Sequence, residues 1–393
     1  MRTITIRNSG RSVAARTCGE ESPTLIIGSI GTSDEGDSID KEIEKARVAE
    51  SLGADVVTDH SFYGDIPAYH KELTRNLSIL VSSVGCYEFA ARHQGHGWRN
   101  KDKIDAIRIL EEQVDRGIDM ITVHASLKAS HLAILTSTKR LIPTTSKGGG
   151  IVASYMRSTH RENPYYEYFD DILRIFHDAN VTLSLGTTFR PATVCDSWDD
   201  LMATEIETMA ELTARALEKG VATMVEGFGH ASLAAIPTYI KLTKSYCYGV
   251  PYRILPMATD TALGFDHISG AIATAAAVAA GADAVTCMSR AEHIGLPREE
   301  DIREAVISAR IASHCGELVK LGDYSKDYQM SRTRWGQGCK GDWTAAVYPE
   351  GAREALNSHN RLNDQLIQCG MCGDFCGIAA GIASHKAAQR AKT

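Results

Sequence analysis

Ser146-Lys147-Gly148-Gly149-Gly150-Ile151-Val152-Ala153-Ser154-Tyr155-Met156 is the stretch on which the fold turns. Taken alone, the apolar run Ile151–Met156 has the length of a buried strand. It directly follows a glycine-rich loop, however, and leads into polar Arg157–Asn163, so it reads as the start of a helix. Working outward, short runs rich in β-branched residues alternate with longer amphipathic stretches from residue 24 onward. The strand candidates are Thr24–Gly28, Asp55–Asp59, Ser78–Ser82, Met120–His124, Val181–Gly186, Thr223–Gly227, Arg253–Met257 and Ala284–Met288. Among the helices, one carries Ile39, Ile43, Ala46 and Ala49 after a capping candidate, Ser38, and stops at Gly53. Another carries Ile104, Ile107, Leu110 and Val114 and ends at Gly117. With Ile151–Met156 counted as helix, eight strands each followed by helix predict an α/β fold, a (β/α)8 TIM barrel over residues 24–322. A doubly wound open sheet is the alternative.

Residues 1–23 read as an N-terminal arm. Beyond the helix around Ile302–Leu321 the periodicity ends, and 323–343, rich in Ser, Lys, Gly and Tyr, reads as a linker. Residues 344–393 form a short helical tail, too small to be stable without a metal or a partner surface. The chain has 393 residues, 44% hydrophobic and 23% charged, as expected of a globular protein with one large core plus an appendage. Its net charge of −7 is spread without a basic block, which argues against nucleic acid as a partner. No apolar stretch reaches the roughly 18–20 residues of a membrane span, and the start lacks a secretion signal's apolar core, so a cytoplasmic location is expected. Cys18, Cys86, Cys195, Cys247, Cys287, Cys315 and Cys339 are scattered, mostly in apolar segments, as reduced core cysteines are.

The tail holds a different kind of cysteine. Cys369, Cys372 and Cys376 stand in Gln-Cys-Gly-Met-Cys-Gly-Asp-Phe-Cys-Gly, with Gly370, Gly373 and Gly377 letting the backbone fold round a bulky group. Three thiolates suit a 4Fe–4S cluster with one iron left open for an exchangeable ligand such as S-adenosylmethionine. The competing reading is a structural zinc site, which needs four ligands and would borrow Cys339 or His359.

On the barrel reading, Asp59, Tyr87, His124, Arg190, Glu226, His230, Tyr252 and His293 all emerge at the carboxyl rim. His230, in Glu226-Gly-Phe-Gly-His230, and His293, in Glu292-His293-Ile-Gly, suit a divalent metal, zinc or iron, although a lone loop histidine is more often structural. Ser146, Lys147, Gly148 and Gly149 offer amides, a hydroxyl and a charge to a phosphate, and Arg190 could add a second contact or make a surface ion pair.

Assembled in order, these blocks resemble the ThiC family, the phosphomethylpyrimidine synthases of thiamin biosynthesis, across about residues 24–320 and again at the cysteine tail. The matching blocks are Gly53-Ala-Asp-Val-Val-Thr-Asp59, Ile121-Thr-Val-His124-Ala, Ser146-Lys-Gly-Gly149, Ser184-Leu-Gly-Thr-Thr-Phe-Arg190-Pro, Glu226-Gly-Phe-Gly-His230, Thr259-Asp260, Gly264-Phe-Asp-His267-Ile and Glu292-His293-Ile-Gly-Leu-Pro297. The resemblance implies a radical S-adenosylmethionine lyase. In it a 4Fe–4S cluster on Cys369, Cys372 and Cys376 yields a 5′-deoxyadenosyl radical that attacks 5-aminoimidazole ribotide. It further implies ribotide contacts from Tyr87, His124, Ser146, Lys147, Gly148, Gly149, Arg190, Glu226 and Tyr252, with Glu226 also catalytic, and a second metal on His230 and His293. An external electron donor such as flavodoxin or ferredoxin is expected, and a homodimer in which one subunit's tail reaches the other's barrel.

The departures are equally specific. The chain lacks the family's long N-terminal region and has CxxCxxxC for CxxCxxxxC. Thr187 stands where the thiamin enzymes carry a carboxylate, and Lys147 stands for an arginine, keeping charge without the planar fork. The shortened form resembles the 5-hydroxybenzimidazole synthase subgroup, which acts on the same ribotide in anaerobic cobamide lower-ligand assembly. The runner-up is phosphomethylpyrimidine synthase. Readings of other classes are a metal-dependent hydrolase using Asp59, His124, His230 and His293, and a zinc-knobbed binding protein.

Overall fold

The computed structural model describes residues 3–34, 36–93, 102–196, 198–337, 343–359, 371–372 and 375–390. β1 (Thr3–Ile6) and β2 (Arg16–Gly19) pair antiparallel as a two-stranded sheet. They are followed by β3 (Leu25–Ile30), β4 (Val56–Asp59), β5 (Leu80–Val84), β6 (Met120–Val123), β7 (Thr182–Leu185), β8 (Thr223–Glu226), β9 (Tyr252–Ile254) and β10 (Ala284–Thr286). These eight strands are parallel, run in chain order and close between β10 and β3, which makes the predicted barrel. Ile151–Met156 lies inside helix Lys147–Thr159, so the glycine-rich loop does open a helix.

Alternation along each strand sends successive side chains to opposite faces. The inner faces supply Leu25, Ile27, Val56, Leu80, Met120, Met224 and Ala284, which form one buried cluster with Ile4, Ile6 and Cys18 of the β1–β2 hairpin. The hairpin therefore plugs the amino end of the barrel, a role that four-residue strands did not announce in the sequence. The loop between them is tied down as well. Asn8 Nδ2 donates to Val114 and Ile118 carbonyls, both at 3.0 Å, and Arg11 pairs with buried Asp119.

Helix boundaries follow their local chemistry. Gly53 and Gly117 end their helices at φ +84° and +88°, a left-handed conformation that favours glycine. Ser38 occupies the predicted N-cap position of helix Ile39–Ser51 but makes no side-chain cap bond. Asp37 organises the loop before it, accepting from Ser33 N at 2.6 Å and Asp34 N at 2.8 Å.

Contacts divide the chain into Met1–Leu321 and Gly322–Thr393. The second unit carries helices Ser325–Gln337, Pro349–His359 and Gly377–Arg390. The first of these falls inside the segment read as a linker, where a polar sequence hides the helical period. Among the described residues no helix is long and apolar enough to cross a membrane.

Candidate active site

One loop after β7, residues 186–190, touches three of the anticipated site groups, His124, Glu226 and Gly149, and carries a fourth, Arg190. Gly186 lies under the His124 ring, where an added Cβ would sit 2.8 Å from Cε1. Thr187 donates to Glu226 Oε2 from its amide at 3.1 Å and its hydroxyl at 3.3 Å. Thr188 packs on Gly149, where a Cβ would meet its Cγ2 at 2.6 Å, and Arg190 Nη1 lies 2.9 Å from the place of a Cβ on Gly229. These glycines are required by close approach, not by backbone sign.

The helix opened by the glycine loop supplies the opposite wall. Ser146 is its N-cap, accepting from Gly149 N at 3.1 Å, so part of the hydroxyl's capacity goes to the helix itself. Gly148 faces His124 so closely that a Cβ would fall 2.2 Å from its Cε1. A helix N-terminus with small first-turn residues is a favourable place for a phosphate. Lys147 Nζ lies 5.0 Å from the Phe62 ring centroid and 5.7 Å from that of Tyr87, whose own ring is 4.4 Å from Phe62. Beside this cluster opens a cavity of about 490 Å³, lined by Gly31, Thr32, His60, Lys147, His293 and Leu296 among others, of a size that takes a small organic ligand.

Charge inside the barrel is sparse and directed. Burial works to raise the Glu226 pKa, but Arg253 first, then Arg190 and His124, outweigh it and hold the carboxyl below its ordinary value. His124 is buried, which pushes its pKa down to about 4 and keeps the ring neutral at physiological pH. Its Nδ1 lies 3.9 Å from the buried Cys86 thiol.

His230 and His293 come together: their ring centroids are 5.2 Å apart. Each directs Nδ1 at a carboxylate, His230 to Asp260 Oδ1 at 2.6 Å and His293 to Asp266 Oδ1 at 3.3 Å. Asp260 is held in turn by the Thr193 hydroxyl at 2.6 Å and Val194 N at 3.0 Å. Carboxylate contacts at Nδ1 leave Nε2 of both rings for a ligand, the arrangement common behind metal-bound histidines, so this pair fits a divalent ion. Among the described residues no group of three or more His, Cys, Asp or Glu gathers for a metal, so the hydrolase cage is not assembled. Asp59, one of its proposed members, is turned outward to His70 Nε2 at 2.8 Å and to Ser61 Oγ at 2.6 Å.

On β9 the structure departs from the expectation for Tyr252 and brings in Arg253, for which no role was expected. Tyr252 points out of the barrel, where its hydroxyl accepts from Phe228 N at 3.0 Å, so it does not join the groups that face the lumen. Arg253 points in, its Nε donating to Thr286 Oγ1 at 3.0 Å and Nη1 to Thr122 Oγ1 at 3.2 Å. The cause is register: Arg253 pairs with inward-facing Glu226 and Ala284, so Tyr252 before it takes the outer face. The overlooked signal was the alternation Tyr252-Arg253-Ile254, in which two apolar neighbours claim one face and leave the arginine the other.

In the tail unit Cys372 is exposed and Cys376 half-buried, both as free thiols. Phe375 N donates to Cys372 O at 3.0 Å, and helix Gly377–Arg390 starts directly after Cys376. Open thiols at a helix start fit thiolate ligation. Cys369, Cys339 and the side chain of His359 lie outside the described residues.

Comparison with known proteins bears on the whole chain. The family described as "Radical SAM ThiC family" matches residues 2–382. Phosphomethylpyrimidine synthase of Archaeoglobus fulgidus is 36% identical over 93% of this chain and 86% of its own length. That of Caldanaerobacter subterraneus subsp. tengcongensis is 37% identical over 92% and 84%. Among solved structures, a dihydropteroate synthase from Coxiella burnetii in complex with pteroic acid aligns over 80% of this chain and 99% of its own at 12% identity and TM-score 0.46. The relatives' names agree with the runner-up reading of the sequence, phosphomethylpyrimidine synthase, better than with hydroxybenzimidazole synthase. Membership of the family implies S-adenosylmethionine and a 4Fe–4S cluster as cofactors. The chain belongs to the radical SAM ThiC family.

Proposed function

We propose that this chain acts on 5-aminoimidazole ribotide, rearranging it by radical chemistry begun with S-adenosylmethionine. The carrying observation is the loop Gly186–Arg190, which joins a glycine-lined helix start, a guanidinium, a neutral imidazole and an ionised carboxylate at one end of the barrel. The helix start with Lys147 and Arg190 suits the phosphate. Glu226 suits an amine or a proton in transit. Cys369, Cys372 and Cys376 would hold the cluster, which supplies the electron that cleaves the sulfonium. His230 and His293 would hold the second metal.

The names of the relatives support phosphomethylpyrimidine as the product. A second reading, 5-hydroxybenzimidazole, is favoured by Thr187. In the thiamin enzymes a carboxylate takes this place, and here it would face Glu226 Oε2 within about the 3.3 Å that the threonine hydroxyl spans. Two carboxylates so close share a proton, whereas Thr187 leaves Glu226 fully ionised. The same ribotide then meets different proton chemistry.

The test is an anaerobic reaction of cluster-reconstituted protein with 5-aminoimidazole ribotide, S-adenosylmethionine and a strong reductant, with products resolved by mass spectrometry and fluorescence. The pyrimidine phosphate supports the first reading and a fluorescent hydroxybenzimidazole the second; an untouched ribotide overturns both. Iron and sulfide analysis accompanies it, and Cys372→Ala is expected to abolish turnover. Retained turnover would remove the cluster from the chemistry.

A further inference from the structure

Arg253 is the largest fully buried side chain of the barrel, at 1% exposure. From β9 it reaches hydroxyls on β10 and on β6, three strands away, so its guanidinium lies across the lumen. Those two bonds occupy Nε and Nη1. The remaining nitrogen, Nη2, has no hydrogen-bond partner among the described residues. Glu226 is its register partner on β8 and also faces inward. Thr187 occupies Oε2 of that carboxylate, and Oε1 has no partner among the described residues.

β8 and β9 thus present one open donor and one open acceptor from register-paired residues that both face the lumen. Both stand on strands rather than loops, and both are held by hydroxyls, which fixes their directions. An amino-substituted azole has the complementary outline: an unsubstituted ring nitrogen that accepts, and an exocyclic amine that donates. Of the groups suited to the phosphate, Lys147 and Gly148 open the helix Lys147–Thr159 and Arg190 stands in the loop after β7, all beyond the carboxyl ends of the strands that precede them. The base would then lie inward of the phosphate.

We propose that Arg253 determines specificity for the heterocycle, donating from Nη2 to the ring nitrogen while Glu226 Oε1 accepts from the amine. The assignment rests on the ribotide reading above. Leaving a buried guanidinium without its acceptor is costly, so a ligand lacking the ring nitrogen gains little from this end of the site.

The experiment is equilibrium binding to the anaerobic, cluster-loaded protein of two probes: 5-aminoimidazole ribotide, and ribose 5-phosphate, which lacks the base. Arg253→Met should weaken ribotide binding by about tenfold or more and leave ribose 5-phosphate within about twofold, whereas Arg190→Gln should weaken both. Arg253→Lys keeps the buried charge beside Glu226 but loses the fork, and should show the same selective loss. Equal loss of both probes in both Arg253 variants would mean a structural role and overturn the assignment. Unchanged ribotide binding in either variant would overturn it too, and with Arg253→Lys would show that charge alone suffices. Failure of wild-type protein to bind either probe would instead overturn the ribotide reading, and this assignment with it.

Discussion

The same strands build two unlike halves of the barrel interior. At the amino end Val56, Leu80, Met120, Met224 and Ala284 pack against the β1–β2 hairpin. Two residues further along the same inner faces stand Thr58, Ser82, Thr122, Glu226 and Thr286, all buried. A step of about 7 Å along each strand thus replaces a hydrocarbon plug by hydroxyls, a carboxylate and, on β9, a guanidinium. Folding and chemistry are separated along the strand axis: the lower half secures the barrel by excluding water, and the upper half is left with polar groups that the fold itself does not fully use.

If that division is real, damage in the lower half should cost stability and spare chemistry. Met224→Ala removes a fully buried side chain from the plug and should lower unfolding free energy by about 2–5 kcal/mol, read from denaturant melts. Turnover per folded, cluster-loaded molecule should be unchanged. A comparable loss of turnover at full occupancy of the folded state would erase the boundary between the halves.

The upper half should show itself through pH. His124 has a folded pKa of about 4, below the ordinary value of 6.5, because burial disfavours its charged form. The unfolded chain therefore binds the extra proton first as pH falls. Stability is full above about pH 6.5 and is lost progressively down to about pH 4, by about 3 kcal/mol in all. His124→Gln should lack that loss, so wild type and variant melts compared at pH 7 and pH 4.5 measure it directly. Parallel curves would mean that the ring is not kept neutral by burial.

Thr187→Asp sharpens the comparison at Glu226 itself. It would put a second carboxylate where a hydroxyl now donates to Oε2. The pair should then titrate at a raised apparent pKa, moving the acid limb of the turnover profile up by about 1–3 pH units. An unmoved limb would show that Glu226 is not the group whose ionisation the reaction needs.

The lower half was the more legible in sequence, and for a physical reason. β-branched runs bounded by polar turns mark strands whatever their inner faces carry, so eight strands and their order could be read, and Ile151–Met156 could be assigned to a helix by its glycine neighbours. Direction was harder. Asp59 closes its strand as anticipated but faces His70 outside the barrel, because alternation from inward-facing Val56 and Thr58 gives residue 59 the outer face. Tyr252 was expected at the rim, but on β9 alternation sends it outward to Phe228 N and turns Arg253, for which no role was expected, into the lumen. His230 and His293 do come together in space, while Asp260 and Asp266, which contact their rings, lay in the matching blocks without a settled role.

The finest test lies among the hydroxyls of the upper half, which differ in employment though not in burial. Thr286 Oγ1 accepts from Arg253 Nε at 3.0 Å. Thr286→Val leaves that guanidinium nitrogen without an acceptor and should cost about 2 kcal/mol of stability, as hydrogen bonds to charged groups do. Ser184 is equally buried, on the same inner face, and its Oγ has no hydrogen-bond partner in the described structure. Ser184→Ala removes nothing that the fold holds, so its melting curve should stay within about 0.5 kcal/mol of wild type. Its effect should appear instead in ribotide binding, if the hydroxyl serves the ligand. A stability loss at Ser184 as large as that at Thr286 would mean that the upper half is held together by its own polar network, and the separation of folding from chemistry along the strands would fail at that layer.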